Sequence, residues 1–491
     1  MQALATWLRH HLWAAFLAFA WRNKLVDNSP PMKKHTHQLL PSLRLTVALF
    51  LSVLATSATA QEVSSSQASL NRQRGQEMLS KIKDIIKDDY YDPKFHGLDL
   101  DQHFKAASAR IKELETAQQI FTAIAQVLLD FNDSHTRFVP PPRINEVEYG
   151  FSMQMIGDKC HVVAVKQGSD AETKGLKVGE VIVDISGYTP SRNSLWALVY
   201  LLYALDPRPE LTLNVTGTDG RPRQVLIQAR RVTPAEREQE SKRRKELEKQ
   251  RPELKLRPYK CQEVNADLIA CKLYTFWVET DIIDKMMKEV GEHKKLVLDL
   301  RGNGGGAVQT EIYLTGYFFD RDVKIATEIE RKKTIERIAK SRKAKAYDGK
   351  LVVLIDSRSA SASEVFARVV QIEKRGQVVG DASAGAVMTS ILVPLETIHG
   401  GRFGGTHNYY GDISLTIGDL LMSDGQRLEG TGVVPDFRSL PSGQTLAQRS
   451  DPALVFAFSL CGTRISKEEA GKFYFIAPVP ETGDEEDKED K

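Results

Sequence analysis

A serine lies on a predicted turn between a strand and a helix. The apolar run 351–355 leads into the turn 359–364, and the amphipathic run 365–370 follows it. Such a turn directs a hydroxyl away from a sheet edge and surrounds it with the unpaired amides of a helix start, which suits a nucleophile. Ser361 and Glu364 also form the S-x-x-E pattern of a capping box, which needs only to begin a helix. Taken alone, this turn favours the capping interpretation.

A second unit of the same kind lies upstream. The apolar run 296–300 enters a glycine-rich turn at 301–306, and a helical pattern continues to Phe319. Glycine lets the backbone approach a ligand and direct its N–H groups at a developing negative charge, as an oxyanion hole requires. Two such turns predict one shared site.

A dinucleotide-binding site is the competing interpretation of this glycine turn. The pattern G-x-G-x-x-A begins at Gly302 after a strand, and acidic residues follow about twenty residues later, at 320 and 322. We disfavour it because the acidic pair follows the helix directly and not a second strand. Asp299 and Arg301 also place charge where the first strand of that fold is normally apolar.

Three segments in order carry a family resemblance: 299–306, 359–364 and the glycine-containing turn 430–436. Together they resemble the C-terminal processing peptidases, serine proteases that carry a PDZ domain. The resemblance extends from about Ser66 to about Gly462. It implies a multidomain α/β (α+β) fold with an N-terminal helical segment, a PDZ-like β domain and a β-α-β protease core of the ClpP/crotonase-like type.

The PDZ-like segment resembles peptide-binding domains at one loop. Tyr149, Gly150, Phe151 and Ser152 resemble the loop that receives a peptide carboxylate, and 175–187 resembles the turn and strand that follow. This implies that a free C-terminus pairs with an exposed sheet edge while backbone amides hold its carboxylate. The alternative is a small β-rich domain that only packs on the core.

The family's usual catalytic base is absent here. In the family a lysine follows the serine by about twenty-five residues, and this sequence has Ala386 at that position. The nearest lysine after the serine turn is Lys374, which is explained more simply as a cation near a helix C-terminus. The chain therefore uses another base or is inactive.

The candidate base is His135. It follows the predicted helix 123–129, and Ser134 with His135 resembles the serine-histidine pair of the tricorn protease core, in which a glutamate completes a Ser-His-Ser-Glu set. The matching glutamate is Glu429. The resemblance implies that Ser361 attacks the scissile carbonyl, that His135 transfers the proton, and that Glu429, through Ser134, orients the imidazole.

The oxyanion would be held by backbone amides from the two turns. The candidate donors are Gly304, Gly305 and Ala362. One such donor contributes about 3 kcal/mol in comparable sites.

The first residues predict an exported protein. A basic region opens at Met32, an apolar segment too short to span a membrane comfortably covers 45–55, and an A-x-A cleavage site ends at Ala60. We expect cleavage after Ala60 and a periplasmic or secreted mature protein with no stable membrane span.

A chain of 491 residues is longer than a single hydrophobic core normally accommodates, so we expect several domains. The predicted segments are a leader 1–60 with the signal peptide at 32–60, an N-terminal helical domain 61–146, a PDZ domain 147–232, a charged linker 233–257, the serine protease core 258–463 and an acidic disordered tail 464–491.

The four cysteines suit an exported protein but do not prove any disulfide, and they indicate no metal site. Cys261 and Cys271 flank a predicted hairpin turn and could face each other across it, whereas Cys160 and Cys461 have no evident partner. None lies at zinc-ligand spacing, so we expect no metal and no cofactor.

A net charge of +3 predicts no nucleic-acid partner. The sequence thus predicts an exported serine endopeptidase acting on proteins or peptides with free C-termini, and the alternative is a catalytically inactive PDZ scaffold.

Overall fold

The computed structural model describes residues 65–250, 257–401 and 404–473, and it describes no side chains between 397 and 407. The predicted leader with its signal peptide lies outside the described residues. So do residues 474–491 of the predicted tail. The prediction of disorder from residue 464 is wrong for the first part of that tail, because Lys467–Lys472 form a helix that buries Ala470.

Three helices form the N-terminal part, as the periodicity of the sequence predicts. They are α1 Ser65–Asp89, α2 Leu100–Ile111 and α3 Ala117–Leu129, with a 3-10 turn at Phe95–Gly97. Thr116 caps α3 by accepting a hydrogen bond from the Gln119 amide. These helices pack on one another, and they share an apolar core with the hairpin formed by two long strands, Met388–Gly401 and Gly404–Met422.

A small β domain follows, and its strands form two antiparallel sheets. The strands are β2 Glu146–Glu148, β3 Phe151–Ile156, β4 Lys159–Val165, β5 Val181–Ile185, β6 Glu210–Thr216, β7 Pro222–Gln228 and β8 Arg230–Val232. The larger sheet has the order β3-β4-β5-β6-β7, so β3 and β7 are its edges, and β2 pairs with β8. Its helices are α4 Asp170–Thr173 and α5 Leu195–Val199, which continues into a π-helical turn at Tyr200–Leu205.

The charged run is a helix that buries nothing. Helix α6 spans Pro234–Gln250 and has no buried residue, because almost every side chain is charged or polar. It joins the small β domain to the larger sheet-rich core, as the sequence predicts for a solvated helix or linker.

The core is built on a mixed six-stranded sheet. Its strands are β9 Tyr259–Asn265, β10 Leu268–Leu273, β11 Lys295–Asp299, β14 Lys350–Ile355, β15 Gln377–Gly380 and β18 Phe437–Arg438, in the order β18-β15-β14-β11-β10-β9. All neighbours are parallel except β9, which runs antiparallel to β10. Helix α7 Thr280–Val290 connects β10 to β11, and α9 Ala362–Ile372 connects β14 to β15. The predicted β-α-β crossover is therefore present.

Apolar side chains cover both faces of this sheet. Along β11 and β14, Leu298 and Val353 belong to the larger core cluster, whereas Val297 and Val352 belong to the cluster on the opposite face. A strand buried on both faces is apolar at every position, which explains the continuous runs in the sequence.

A second sheet completes the core. Its strands are β1 Arg137–Val139, β12 Val323–Glu330, β13 Thr334–Ala339, β16 Met388–Gly401 and β17 Gly404–Met422. Strand β17 pairs with β1, β12 and β16 along different parts of its length. Helix α8 Val308–Gly316 lies between β11 and β12, and α10 Gly443–Ala447, α11 Pro452–Leu460 and α12 Lys467–Lys472 end the described chain.

The structure pairs the two cysteines that the sequence showed could face each other. Strands β9 and β10 place Cys261 directly opposite Cys271, and the two residues form a disulfide. Cys160 and Cys461 are free and buried.

Candidate active site

Ser361 lies at the turn between β14 and α9 in a rarely populated backbone conformation. Its φ is 54° and its ψ is −119°, a strain that costs on the order of 1–3 kcal/mol and that surrounding contacts must hold in place. Its amide donates to the Ala386 carbonyl at 3.0 Å and to the Glu364 carboxylate at 2.9 Å. The Glu364 amide donates to the backbone carbonyl of Ser361 at 2.8 Å. Glu364 therefore helps to begin the helix, as the capping interpretation holds, while Ser361 lines a cavity.

Glu364 does more than cap the helix. Its fully buried carboxylate also accepts hydrogen bonds from the Ser383 hydroxyl at 2.6 Å, the Gly385 amide at 2.6 Å and the Ala386 amide at 2.9 Å. Burial raises its pKa to about 7, and these hydrogen bonds act in the opposite direction. The carboxylate holds the 383–386 turn against the nucleophile, a role that a capping pattern does not reveal.

His135 is connected to Glu429 through Ser134. The Ser134 hydroxyl lies 2.6 Å from His135 Nδ1 and donates to Glu429 Oε2 at 2.9 Å. The Ser134 amide donates to Glu429 Oε1 at 2.8 Å. The structure thus brings these three residues into one row, in which Ser134 and His135 are buried and Glu429 is half-buried, although Glu429 lies 295 positions from Ser134.

Two adjacent residues connect this row to the nucleophile. The Ala386 carbonyl accepts from the Ser361 amide, and the next amide, that of Val387, donates to Glu429 Oε2 at 2.8 Å. In the described part of the chain no hydrogen bond joins the Ser361 hydroxyl to the His135 ring. Catalytic hydrogen bonds are often long in unliganded enzymes and tighten when substrate binds.

Burial shifts both titratable groups of this row. Burial first, and then the nearby Arg137 charge, lower the pKa of His135 to about 4. Burial first, and then the nearby Asp133 charge, raise the pKa of Glu429 to about 8, against the pull of its three hydrogen bonds. His135 is therefore neutral near pH 7 and able to accept a proton.

Asp133 fixes the backbone of the histidine turn and was not predicted. Its Oδ1 accepts from the amides of His135 at 3.0 Å and Thr136 at 2.6 Å and from the Thr416 hydroxyl at 2.6 Å. Its Oδ2 accepts from the Tyr90 hydroxyl at 2.7 Å. An aspartate whose side chain bonds the amides two and three residues on forms a local turn, so its position before His135 was the available signal.

The glycine turn packs directly against the nucleophile. Gly305 has a φ of +94°, and a Cβ placed on it would lie 2.7 Å from Ser361 Cβ. One predicted oxyanion donor needs correction, because the Gly305 amide already donates to Asn303 Oδ1 at 2.9 Å. Within the described residues the amides of Gly304 and Ala362 have no acceptor, so these two remain as candidates.

Neither position considered for a lysine base supplies one. Ala386 is buried beside Ser361, and its carbonyl accepts the serine amide. Lys374 is exposed just beyond the far end of α9, an 11-residue helix about 16 Å long.

The residues predicted to form a peptide-binding loop lie at the start of an edge strand, and part of that strand edge is covered. Tyr149 is buried, and its hydroxyl donates to the Arg208 carbonyl at 2.9 Å. Gly150 has a φ of +72° and precedes edge strand β3, which contains Phe151 and Ser152. The prediction of an exposed edge is wrong for the middle of β3.

The sheet-rich core covers that part of β3. Arg358 donates to the Met153 carbonyl at 2.6 Å, and the Ser357 hydroxyl donates to the Met155 carbonyl. Both donors lie in the turn that precedes Ser361, so the small β domain and the nucleophile turn are in direct contact.

The described residues contain no group of three or more His, Cys, Asp or Glu side chains arranged to hold a metal ion. Their helices include none that is long and apolar enough to cross a membrane.

Comparison with known proteins finds a family to which the part of the chain that holds Ser361 is similar. The model of Peptidase family S41 matches residues 271–439, which include the glycine turn, Ser361 and Glu429. The similarity to Peptidase family S41 therefore covers the predicted nucleophile and the predicted glutamate. The S41 match leaves out Ser134 and His135, so it does not test the assignment of the base.

Two curated relatives agree with the S41 match. The chain is 23% identical over 353 residues to carboxyl-terminal-processing peptidase 1, chloroplastic, of Arabidopsis thaliana, covering 69% of this chain and 66% of the relative. It is 25% identical over 374 residues to a probable CtpA-like serine protease of Staphylococcus aureus (strain MSSA476), covering 75% of this chain and 64% of the relative. The chain thus spans slightly less than two thirds of these relatives.

Among solved structures, that of mature CPAF complexed with lactacystin is similar to this chain, with a TM-score of 0.57 and 14% sequence identity. The similarity covers 82% of this chain and 98% of the CPAF chain. At this identity the likeness shows a shared fold. That fold is a mixed α/β multidomain arrangement with a helical N-terminal part and a sheet-rich core.

Proposed function

We propose that this chain is an exported serine endopeptidase in which Ser361 is the nucleophile and His135 the general base. The observation that carries the proposal is the row from the imidazole through the Ser134 hydroxyl to Glu429, tied by the 386–387 backbone to the nucleophile turn.

The proton moves along this row. Ser361 Oγ attacks the scissile carbonyl while His135 Nε2 accepts its proton, and His135 Nδ1–H donates to Ser134 Oγ, which donates to ionised Glu429. The imidazolium then protonates the leaving amine, which leaves an acyl-serine. A water molecule deprotonated by the same nitrogen hydrolyses the ester and restores the enzyme.

The developing oxyanion lies near two backbone amides in this proposal. Gly304 and Ala362 come from the two turns that meet at Ser361, and Ala362 is the first residue of α9. A helix start favours negative charge because its first amides are unpaired.

Substrate recognition by the small β domain belongs to the same proposal in a narrower form. Because the turn before the nucleophile covers the middle of β3, we place the binding of a peptide carboxylate at the start of that strand, near Gly150 and Phe151. Peptides that differ only in C-terminal amidation, compared by calorimetry, test this point. Equal affinity for the acid and the amide would rule out carboxylate capture.

Labelling with a serine-directed fluorophosphonate separates the peptidase from an inactive scaffold. We expect one label per chain on Ser361 and none on Ser361→Ala. For kcat/KM on one unstructured protein, His135→Ala should lose most activity and Lys374→Ala should be nearly silent. An active His135→Ala with an inactive Lys374→Ala would instead indicate a serine-lysine dyad.

A further inference from the structure

Four charged side chains meet at the edge of the six-stranded sheet from which the glycine turn leaves, and the proton transfer proposed above uses none of them. They are Lys272 on β10, Asp299 at the end of β11, Arg301 in the glycine turn and Asp451 before α11. Lys272, Asp299 and Asp451 are buried, and the Arg301 side chain is 10% exposed. A charge in such a place is costly unless it is paired. The two cations and the two anions compensate one another.

Arg301 joins two distant parts of the chain through its guanidinium group. Its Nε and Nη2 donate to the Asp299 carboxylate at 3.0 Å and 2.7 Å. Its Nη1 and Nη2 donate to the two oxygens of Asp451 at 2.9 Å and 2.7 Å. The guanidinium is planar and its donors have fixed directions, so two paired contacts set both its position and its orientation. The end of β11 is thereby connected to the start of α11.

The backbone of Arg301 is held as firmly as its side chain. Its amide donates to Asp299 Oδ1 at 2.9 Å, and its carbonyl accepts from the Lys272 ammonium group. Lys272 Nζ also lies 3.4 Å from Asp299 Oδ1. Both backbone polar groups are therefore fixed at a position three residues before Gly304, the oxyanion candidate of the glycine turn.

The other end of this connection, Asp451, is itself supported by two helices. Its Oδ1 accepts from the Leu454 amide at 3.0 Å and so begins α11, whose Leu454 and Phe458 are fully buried against the sheet. Helix α12 packs on the segment before Asp451, because a Cβ placed on Gly471 would lie 2.1 Å from the Arg449 carbonyl oxygen. Helices packed this closely do not shift without a cost in stability. Asp451 is therefore a rigid support for the Arg301 side chain.

This charge network supplies geometry. A buried ion pair is often no more stabilising than apolar side chains of similar volume, because each charge loses its hydration. Burial acts to raise the pKa of Asp299, but the charges of Arg301 and Lys272 lower it below its ordinary value. The Asp299 carboxylate is therefore ionised at neutral pH and keeps its paired contact with the guanidinium. Paired hydrogen bonds fix a direction as well as a distance, which apolar packing does not.

We propose that Arg301 and Asp451 are positioning residues of the catalytic site: through their paired side chains, α11 and α12 hold the glycine turn so that the Gly304 amide faces the oxyanion. The proposal rests on the proposed peptidase function. It gives the two terminal helices a part in catalysis, although Asp451 acts only through Arg301 and does not touch the substrate. Loosening the pair should therefore weaken transition-state stabilisation and leave substrate binding nearly unchanged.

The test compares the wild type with Asp451→Asn, Arg301→Lys and the double variant on one fluorogenic peptide whose C-terminus is amidated. Asparagine still caps α11 but loses the charge, and lysine keeps the charge but loses the paired geometry. Each single variant should lower kcat per labelled serine about ten-fold, less than the complete loss of an oxyanion donor costs, with KM changed by no more than about two-fold. The double variant should lose about as much as the more affected single variant, because both changes break one contact.

A peptide aldehyde gives a second readout that a merely structural role would not move. The aldehyde carbon bonds to Ser361 Oγ, and the oxygen of the resulting adduct takes the place of the oxyanion. Its affinity should fall by about the same factor as kcat in each variant. Glu180→Gln is the matched control, because Glu180 is 4% exposed and accepts from Arg223 Nε at 3.1 Å and Nη2 at 2.7 Å in the small β domain. It should lower the melting temperature and leave kcat and aldehyde affinity unchanged.

Complete fluorophosphonate labelling, with every assay run well below the melting temperature of the variant, separates the possible failures. If the wild type is neither labelled nor active, both proposals fall. If the wild type is labelled and active but the single variants keep kcat within about two-fold, the network is only structural, and the positioning proposal falls while the peptidase proposal stands. A rise in KM at unchanged kcat, or additive losses in the double variant, would also overturn it. If Asp451→Asn does not fold, Arg301→Lys alone decides between these outcomes.

Discussion

Replacing Glu429 by glutamine tests the proton row most directly. The carboxylate accepts three hydrogen bonds, from the Ser134 amide on Oε1 and from the Ser134 hydroxyl and the Val387 amide on Oε2. A glutamine has one oxygen and one NH₂ group. Either orientation places the NH₂ group against a backbone N–H, which leaves a buried donor without an acceptor at a cost of about 1–3 kcal/mol.

The effect on catalysis follows from the charge. The hydrogen bonds of 2.6 Å and 2.9 Å in series place His135 Nδ1 no more than about 5.5 Å from Glu429 Oε2. At that distance, with an effective dielectric constant near 20, an ionised carboxylate stabilises the imidazolium by about 3 kcal/mol, which corresponds to roughly a hundred-fold in rate. Glutamine removes this electrostatic stabilisation of the imidazolium, while Ser361 and His135 remain able to exchange the proton.

The predicted pH dependence has a definite sign. Because the pKa of Glu429 is raised to about 8, the carboxyl is mostly protonated at pH 6 and mostly ionised at pH 9. When protonated it can donate to Ser134, which reverses the row and leaves the proton on the wrong nitrogen of His135. The kcat/KM of the wild type should therefore rise through an apparent pKa near 8, and Glu429→Gln should lose about a hundred-fold at pH 9 but much less at pH 6.

The assay is kcat/KM on one fluorogenic peptide from pH 6 to pH 9.5, normalised to fluorophosphonate-labelled sites, with circular dichroism to verify folding. Glu336→Gln is the matched control, because Glu336 lies on β13 and pairs only at the surface with Lys324. A Glu429→Gln variant with the wild-type pH profile, or one losing less than three-fold at pH 9, would refute the reasoning.

Three further predictions address the supports of the site. Gly305→Ala should abolish labelling of Ser361, because the new Cβ would lie 2.7 Å from the Ser361 Cβ. Gly302→Ala is the control: Gly302 is in the same loop and also has a positive φ, but a Cβ placed on it would have no atom within 4 Å, so labelling should be retained. Replacing Cys261 and Cys271 by alanine should lower the free energy of unfolding by about 2–3 kcal/mol, measured by thermal denaturation, with labelling at low temperature unchanged. Asp133→Asn should lower kcat more than it raises KM in steady-state kinetics, because it disturbs the backbone of the histidine turn and not the substrate pocket.

The parts of the fold that the sequence predicted best are local. Cys261 and Cys271 flank a short hairpin turn, so the antiparallel register alone brings them together. The crossover from β14 through α9 to β15 is likewise contained in about thirty consecutive residues. In such segments period, turn residues and apolar runs all act over a few positions, and these are the features that a sequence displays.

The relationships that complete the site act across the chain. The His135 assignment came from a family resemblance, since nothing in the local sequence around Ser134 indicates a carboxylate 295 residues away. Glu364 resembled a helix cap because Ser361, its partner in a capping box, lies three positions earlier. Its three other donors come from the turn 383–386, which no helical pattern connects to it.

The correction at Gly305 shows why oxyanion donors are difficult to assign from sequence. A glycine cluster indicates that the backbone can approach a ligand, but it does not say which amides remain unpaired. Here the Asn303 side chain, two residues earlier, accepts a hydrogen bond from the Gly305 amide.

The same limit applies to strand β3. The order of strands in a sheet shows which strand is at the edge, but it does not show whether another part of the chain covers that edge. Arg358 and Ser357 reach that edge from about two hundred residues further along the chain, and only the tertiary structure places them there.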